Sequence, residues 1–338
     1  MQRRDFLINT GILSSTIVMS ACGSNNSDVV AVDQPIPDGA VTLYYEFKIA
    51  GPEIQAMMQN VGEEATALEE KTGFLGLSMK MMIGDSTMVN NMMPDLKGVL
   101  KSAYIDAAQV GRRPFLYALL IRFDNYDNLM ASGAKEWFSN TIEPQLFAYQ
   151  PGTPPTKTPI ILDYYQGIYK TVAAGDSDGI YTTQEQILAF LQNQKDVVNA
   201  TYQVIPADGT SSGASVSVQN HVVISNDDTD AINTKATALL TVAQETYQPS
   251  TNDTNGDSGT LSDSNYRKAI TTEILQNAFA YGDTRNYLFH GVWESIADHE
   301  NSHLDPRFMQ AAGPVGAYVI AGPSEPFYQT VMLKNNNG

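Results

Sequence analysis

Two stretches decide the fold: residues 115–123 (FLYALLIRF) and residues 287–293 (YLFHGVW). Both carry apolar side chains at odd and even positions, which predicts strands buried on both faces. They also share a six-residue gap, Tyr117 to Phe123-Asp124 in one and Tyr287 to Trp293-Glu294 in the other. Working outward from the first, residues 41–48 (VTLYYEFK) read as a strand that Gly51-Pro52 breaks. Ile54, Met57, Met58, Val61, Ala65 and Leu68 then fall on one helical stripe, and Gly73 ends that helix. Residues 74–83 are expected as a second strand, 125–146 as mostly helix and 160–170 as a fourth strand. The second half repeats this order. Residues 215–225 (SVSVQNHVVIS) alternate as a strand, and a helix carries Ile232, Ala236, Leu239, Leu240, Ala243 and Tyr247. Strands at 266–277 and 287–293, a short helix at 295–303 and a last strand at 327–333 complete it.

First and third strands start 74 residues apart in one half (41 to 115) and 72 in the other (215 to 287). Near-equal spacing of like elements predicts a duplicated β-α-β-β-α-β unit. The fold class expected is α+β. The first repeat is placed at 40–181 and the second at 215–334. Between them, at 182–214, Thr182-x-x-Glu185 reads as a capping box for a connecting helix with Ile187, Leu188, Leu191 and Val198. Residues 206–214 and 250–264 are polar and expected as loops.

The 338 residues carry a formal net charge of −17, 43% hydrophobic residues and one cysteine. That balance excludes general phosphate-backbone binding, and a lone thiol excludes a disulfide framework. Arg3-Arg4-x-Phe6-Leu7 followed by a short apolar run has the pattern of a twin-arginine export signal over 1–21. Met19-Ser20-Ala21-Cys22 resembles a bacterial lipobox, making Cys22 the lipid-bearing first residue of the mature chain. Residues 22–39 are polar and proline-punctuated, as a tether would be. The expected location is the bacterial envelope on the exported side of the cytoplasmic membrane, periplasm or outer membrane, with lipid as the only membrane contact.

Val292-Trp293-Glu294-Ser295, followed by Ala297, His299, His303 and Phe308, resembles the third strand and second helix of antibiotic-biosynthesis-monooxygenase domains. The resemblance is clearest over 286–333, and residues 117–146 match as a pattern. It implies a ferredoxin-like unit that pairs sheets with a second copy around an internal cavity. The two halves are then two ferredoxin-like (dimeric α+β barrel) repeats packed as an intramolecular pseudo-dimer. It further implies cofactor-free oxidation, or binding, of a small aromatic or quinol-type ligand; other members of the superfamily degrade or bind haem. The haem-degrading branch carries a Trp nine residues after the strand Trp and a downstream ligand His; Ser302 and Ala312 stand there. The competing reading is a non-catalytic lipoprotein that binds an apolar ligand or another envelope protein.

Within the second repeat, His290 lies in an apolar strand and His221, beside Asn220, on the first strand. With Tyr287 and Trp293 they form the candidate ligand-binding or catalytic set, two imidazoles and an amide being able to deprotonate a phenol. His299-Glu300-x-x-His303 has the spacing that lets two imidazoles grip zinc from one helix face, with Glu325 a nominal third ligand. Asn301 and Ser302 are polar where such helices are apolar, and Pro306 is expected to stop the helix. Eight of thirteen methionines fall between 57 and 93, Met79, Met81, Met82, Met88, Met92 and Met93 among them. They are read as packing or cavity lining ahead of Cu(I) ligation. Asp253-x-Asn255-x-Asp257 begins like a calcium loop but has Ser258 and Ser264 at the sixth and twelfth positions. No cofactor is expected on these residues; haem, zinc and copper stay open, as does the oligomeric state.

Overall fold

The computed structural model describes residues 34–85, 115–150, 156–159, 166–176, 178–193, 215–245, 269–293, 299 and 306–335. In chain order the elements are β1 (Val41–Ile49), α1 (Ile54–Glu69), β2 (Phe74–Asp85), β3 (Phe115–Phe123), α2 (Tyr126–Ser132), α3 (Ala134–Trp137), β4 (Phe147–Gln150), β5 (Thr156–Pro159) and β6 (Gly167–Asp176). There follow β7 (Gly179–Tyr181), α4 (Gln184–Gln192), β8 (Val216–Ser225), α5 (Thr229–Glu245), β9 (Thr271–Asn277), β10 (Thr284–Trp293), α6 (Pro306–Gly316), β11 (Val319–Ser324) and β12 (Pro326–Asn335).

Strand pairing runs β1-β3-β2-β12-β8-β10-β9-β6, and β6 pairs back onto β1, so eight antiparallel strands close a barrel. Each half contributes four strands in one spatial order, β6-β1-β3-β2 and β12-β8-β10-β9. That fourth-first-third-second order is the ferredoxin-like arrangement. The halves join twice by the same kind of contact, a second strand of one against the fourth strand of the other (β2 with β12, β9 with β6). The chain is therefore two ferredoxin-like repeats packed as a pseudo-dimer within one polypeptide. Closure gives each of the eight barrel strands a neighbour on both sides, over two residue pairs at the β12–β8 seam and four at the β1–β6 seam.

Alternation along each strand sends one face to helices and the other into the barrel. Leu43, Phe47, Leu119 and Ile121 pack outward with Met57 and Val61 of α1, and Tyr45 stacks on Phe138 at 3.6 Å. In the second half, Ile232, Ala236 and Leu240 of α5 cover Val222 and Ile224. Inside, Tyr44, Leu120, Tyr169, Leu275, Leu288 and Tyr328 form a separate buried cluster. Each large side chain buried this way contributes about 1.5–3 kcal/mol.

Four expectations shift. The fourth strand is Gly167–Asp176 rather than 160–170, because pairing of Gly167–Lys170 with Val41–Tyr44 fixes its position. The helix expected at 125–146 breaks at Gly133, whose φ of 81° only glycine adopts cheaply, and continues as a π turn and a 3-10 turn. The capping box sits one residue on: Thr183 accepts from the Gln186 backbone while the Gln186 side chain returns to Thr183. Pro306 opens α6 instead of only ending the helix before it, the first turn being where proline costs no backbone hydrogen bond. Of the expected helix at 295–303 only His299 is described, and it is helical. The signal, Arg3, Arg4, Cys22, Met88, Met92, Met93 and the 253–264 loop lie outside the described residues.

Candidate functional site

The barrel interior is polar at its heart, and this was the least expected feature. Glu273 on β9, Arg122 on β3, His290 on β10 and Ser217 on β8 meet there, all buried. Arg122 reaches across from the other repeat and holds Glu273 bidentately, Nη1 to Oε2 at 3.0 Å and Nη2 to Oε1 closer still. Nη1 also donates to Thr42 Oγ1 at 3.0 Å. His290 Nδ1 lies 2.7 Å from Glu273 Oε1, and Ser217 Oγ lies 2.8 Å from His290 Nε2.

The protonation states follow from these contacts. Burial alone would raise the Glu273 carboxyl, but the Arg122 charge and the His290 hydrogen bond outweigh it and bring it down to about 2. Glu273 is therefore ionised and only accepts, so Nδ1 carries the imidazole proton. His290 itself is held below its ordinary range, first by burial and further by the charges of Lys80 and Arg122, against the pull of Glu273. At neutral pH it is uncharged, and its Nε2 lone pair accepts the Ser217 hydroxyl. The result is a carboxylate, an oriented neutral imidazole and a hydroxyl in line.

A second group crosses the barrel. Tyr44 on β1 donates to Gln219 Oε1 on the opposite strand β8 and lies 3.5 Å from His221 Nε2. That nitrogen is 3.3 Å from Glu46 Oε2, whose other oxygen accepts from Tyr328. Lys80 Nζ donates to Thr330 Oγ1 at 2.8 Å. These contacts tie the two repeats through the middle of the barrel.

The structure brings His290 and His221 onto the same interior face, two residues apart in register, since His290 pairs with Gln219 and Leu288 with His221. It does not bring the rest of the expected set to them. Asn220 faces outward, where its amide donates to Glu325 at 2.6 Å. Tyr287 packs toward α5 and donates to Asn233 at 2.9 Å. Trp293 lies outside with Val216, Val218 and Phe327 and meets the His299 ring edge-on at 5.1 Å. The reason is the pleat: residues 287, 289 and 293 share the face opposite 288, 290 and 292. His299 is buried between Trp293 and Phe327, while Glu300 and His303 lie outside the described residues. Among the described residues no group of three metal-capable side chains occurs. Met57, Met79 and Met81 pack in the helix-facing core.

Glu325, between β11 and β12, is buried beside Asn220, and burial lifts its carboxyl to about 7. A raised acid stabilises the fold fully below its unfolded pKa of about 4.5, and that contribution is lost as pH rises through 7. Wild type should therefore lose stability between pH 5 and 8, and Glu325→Gln should flatten that slope. Thermal melts across this range check it; equal slopes would contradict the assignment.

The interior site is not symmetric, although the barrel is. Matching Tyr117 to Tyr287 places Leu120 at the position of His290, and Ser78, the β2 partner of Leu120, at that of Glu273. The same register equates Thr42 with Ser217 and Tyr169 with Tyr328, so the tyrosine pair is shared while the His–Glu couple is not. A feature the fold builds in one half without the other is not demanded by the fold.

Fold and site together define an α+β barrel protein of two ferredoxin-like repeats with a buried carboxylate–imidazole–hydroxyl line. Residues 40–128 match the ABM-like domain model, and residues 172–331 match the C-terminal domain of CT0912-like proteins. The ABM-like match lies in the first half of the chain; of residues 286–333, which resemble antibiotic-biosynthesis-monooxygenase domains most clearly, 286–331 fall within the other match. None of the curated proteins matches. A candidate monooxygenase of Fusobacterium nucleatum subsp. nucleatum aligns at 9% identity over 89% of this chain and 96% of its own, with a TM-score of 0.48. An anthrone oxidase-like protein aligns at 11% identity over 89% and 95%, with a TM-score of 0.47. A candidate monooxygenase of Lactobacillus acidophilus aligns at 8% identity over 88% and 97%, with a TM-score of 0.46. These overlaps are loose, and the fold assignment stands on the strand order itself.

Proposed function

We propose that the protein deprotonates a small phenol- or quinol-type substrate, with His290 as base, and so exposes it to oxidation by dioxygen. The observation that supports this is the neutral His290, with Nδ1 committed to Glu273 and Nε2 in contact with Ser217. A substrate hydroxyl beside this line donates to Ser217, which passes its own proton to Nε2. The resulting anion is electron-rich enough to reduce dioxygen directly. One oxygen atom stays on the ring and the other leaves as water, the substrate giving all four electrons; a hydroquinone leaves as a hydroxyquinone. Arg122 and Lys80 favour the anion by charge. With small hydroquinones, dioxygen uptake should depend on the protein and reach one dioxygen per substrate consumed. Uptake no faster than in buffer would remove the reading.

A second reading, a non-catalytic envelope lipoprotein that binds an apolar ligand or a protein, is favoured by the cross-barrel contacts of Tyr44 with Gln219 and Glu46 with Tyr328, which occupy the barrel's middle. The same dioxygen measurement separates the two.

In either case the chain is proposed to act on the exported side of the cytoplasmic membrane, held by lipid on Cys22, a reading supported by Arg3-Arg4 and Ser20-Ala21-Cys22. Among the described residues no helix is long and apolar enough to cross a membrane. Cys22→Ala should move the protein from the membrane fraction to the soluble fraction. Its retention in the membrane would contradict the anchor.

A further inference from the structure

Ser217, His290 and Glu273 come from three strands adjacent in the ring (β8, β10 and β9), and their order of contact is that of an activated nucleophile. The hydroxyl is 2.8 Å from one imidazole nitrogen, and a carboxylate is 2.7 Å from the other. That is the geometric signature of a base-activated serine, recognised by roles rather than by sequence position. The carboxylate is in turn fixed by Arg122, so the imidazole cannot turn to its other tautomer without losing a charged hydrogen bond.

A further part of such a site is present. Gln219 is on the same strand and face as Ser217 and is the register partner of His290. Its Oε1 is taken by Tyr44, but its Nε2, fully buried, has no hydrogen-bond partner among the described residues. A buried unsatisfied donor costs about 1–3 kcal/mol, so one left beside a hydroxyl–imidazole pair calls for an acceptor. An oxyanion developing on a group bonded to Ser217 is such an acceptor. The first repeat offers no equivalent, having Thr42, Leu120 and Ser78 at the matching places.

We propose that Ser217 is a nucleophile, activated by His290 and Glu273 and served by Gln219 as oxyanion donor, that accepts the acyl group of small activated esters. Ser217 Oγ bonds to the carbonyl carbon as its proton passes to His290 Nε2. The tetrahedral adduct collapses, the carbon–oxygen bond to the leaving group breaks, and the imidazolium returns the proton to that leaving oxygen. Water repeats the sequence on the acyl-serine, giving the free acid and restoring the hydroxyl. Ser217 is 1% and His290 8% exposed, which confines the chemistry to compact acyl groups.

The activity shares His290 with the oxidation proposed above but uses neither dioxygen nor a phenol, so each can fail alone. The test treats the full-length protein with methanesulfonyl fluoride, a reagent as compact as the acyl groups proposed, and maps the adduct by peptide mass spectrometry. A single adduct on Ser217 is expected, formed at least ~100-fold more slowly in His290→Gln. As a second measure, Ser217→Cys should be alkylated by iodoacetamide at neutral pH faster than the same cysteine in the Ser217→Cys, His290→Gln double variant. No adduct on Ser217, together with alkylation of Ser217→Cys no faster than in the double variant, overturns the proposal. A Ser217 adduct without dioxygen uptake upholds it and removes the oxidation; uptake with neither an adduct nor the faster alkylation does the reverse.

Discussion

Glu273→Leu is expected to destabilise the fold by about 3–5 kcal/mol, the largest loss of any single substitution considered, because it strands Arg122 as a buried charge with no counter-ion. In wild type that guanidinium spends both terminal nitrogens on Glu273, and its Nε has no partner among the described residues to fall back on. A urea melt reads the loss as a lowered midpoint. The double variant Arg122→Met with Glu273→Leu should recover most of it, because removing both charges abolishes the desolvation cost as well as the attraction. Equal melts for the single variant and wild type would show that the pair carries no weight. There is also a pH signature. Glu273 has its folded value below the unfolded one, so its contribution is present above about 4.5 and is lost as pH falls toward 2. Acid unfolding of wild type should show that loss, and the double variant should not.

His290→Phe is expected to lower turnover of a hydroquinone by about 100- to 10,000-fold, the usual worth of a positioned general base. Phenylalanine keeps a flat ring, slightly larger than imidazole, and removes both ring nitrogens, so Glu273 keeps Arg122 while Ser217 loses its acceptor. Because burial and the neighbouring cations hold the imidazole below its ordinary range, wild-type activity should fall on the acid side only below pH 6.5. The variant's residual rate should lack that limb. A dioxygen electrode followed from pH 5 to 8 gives both readings, and an unchanged acid limb in the variant would assign the base elsewhere.

The outer half of the architecture was legible in the sequence. The stripe from Ile54 to Leu68, the doubly apolar 115–123 and 287–293 strands and the matched spacings give the duplicated unit, and the barrel follows because each sheet has a second apolar face. The interior was not legible, for a physical reason. Glu46, Lys80, Arg122 and Glu273 each stand in a strand of mostly uncharged residues, where a charge reads as a solvent-facing position. Barrel closure turned those positions inward, and their partners lie on strands far away in sequence, as with Arg122 and Glu273, 151 residues apart. A signal did exist: each of these charges lies on a strand whose opposite face is already committed to helices, so the charged face had to be capped by another sheet or by water. His290 was found because histidine in an apolar strand stands out, and His221 because it alternates in step. Tyr287 and Trp293 were grouped with them by proximity in sequence, which the pleat overrules.

The central claim is that His290 sits in the barrel as a neutral base, its Nδ1 proton held by Glu273 and its Nε2 lone pair on Ser217. The 15N spectrum of the imidazole, assigned by its loss in His290→Phe, tests this at pH 7. The account predicts a proton on Nδ1 and none on Nε2. A doubly protonated ring, or a proton on Nε2 alone, would contradict it.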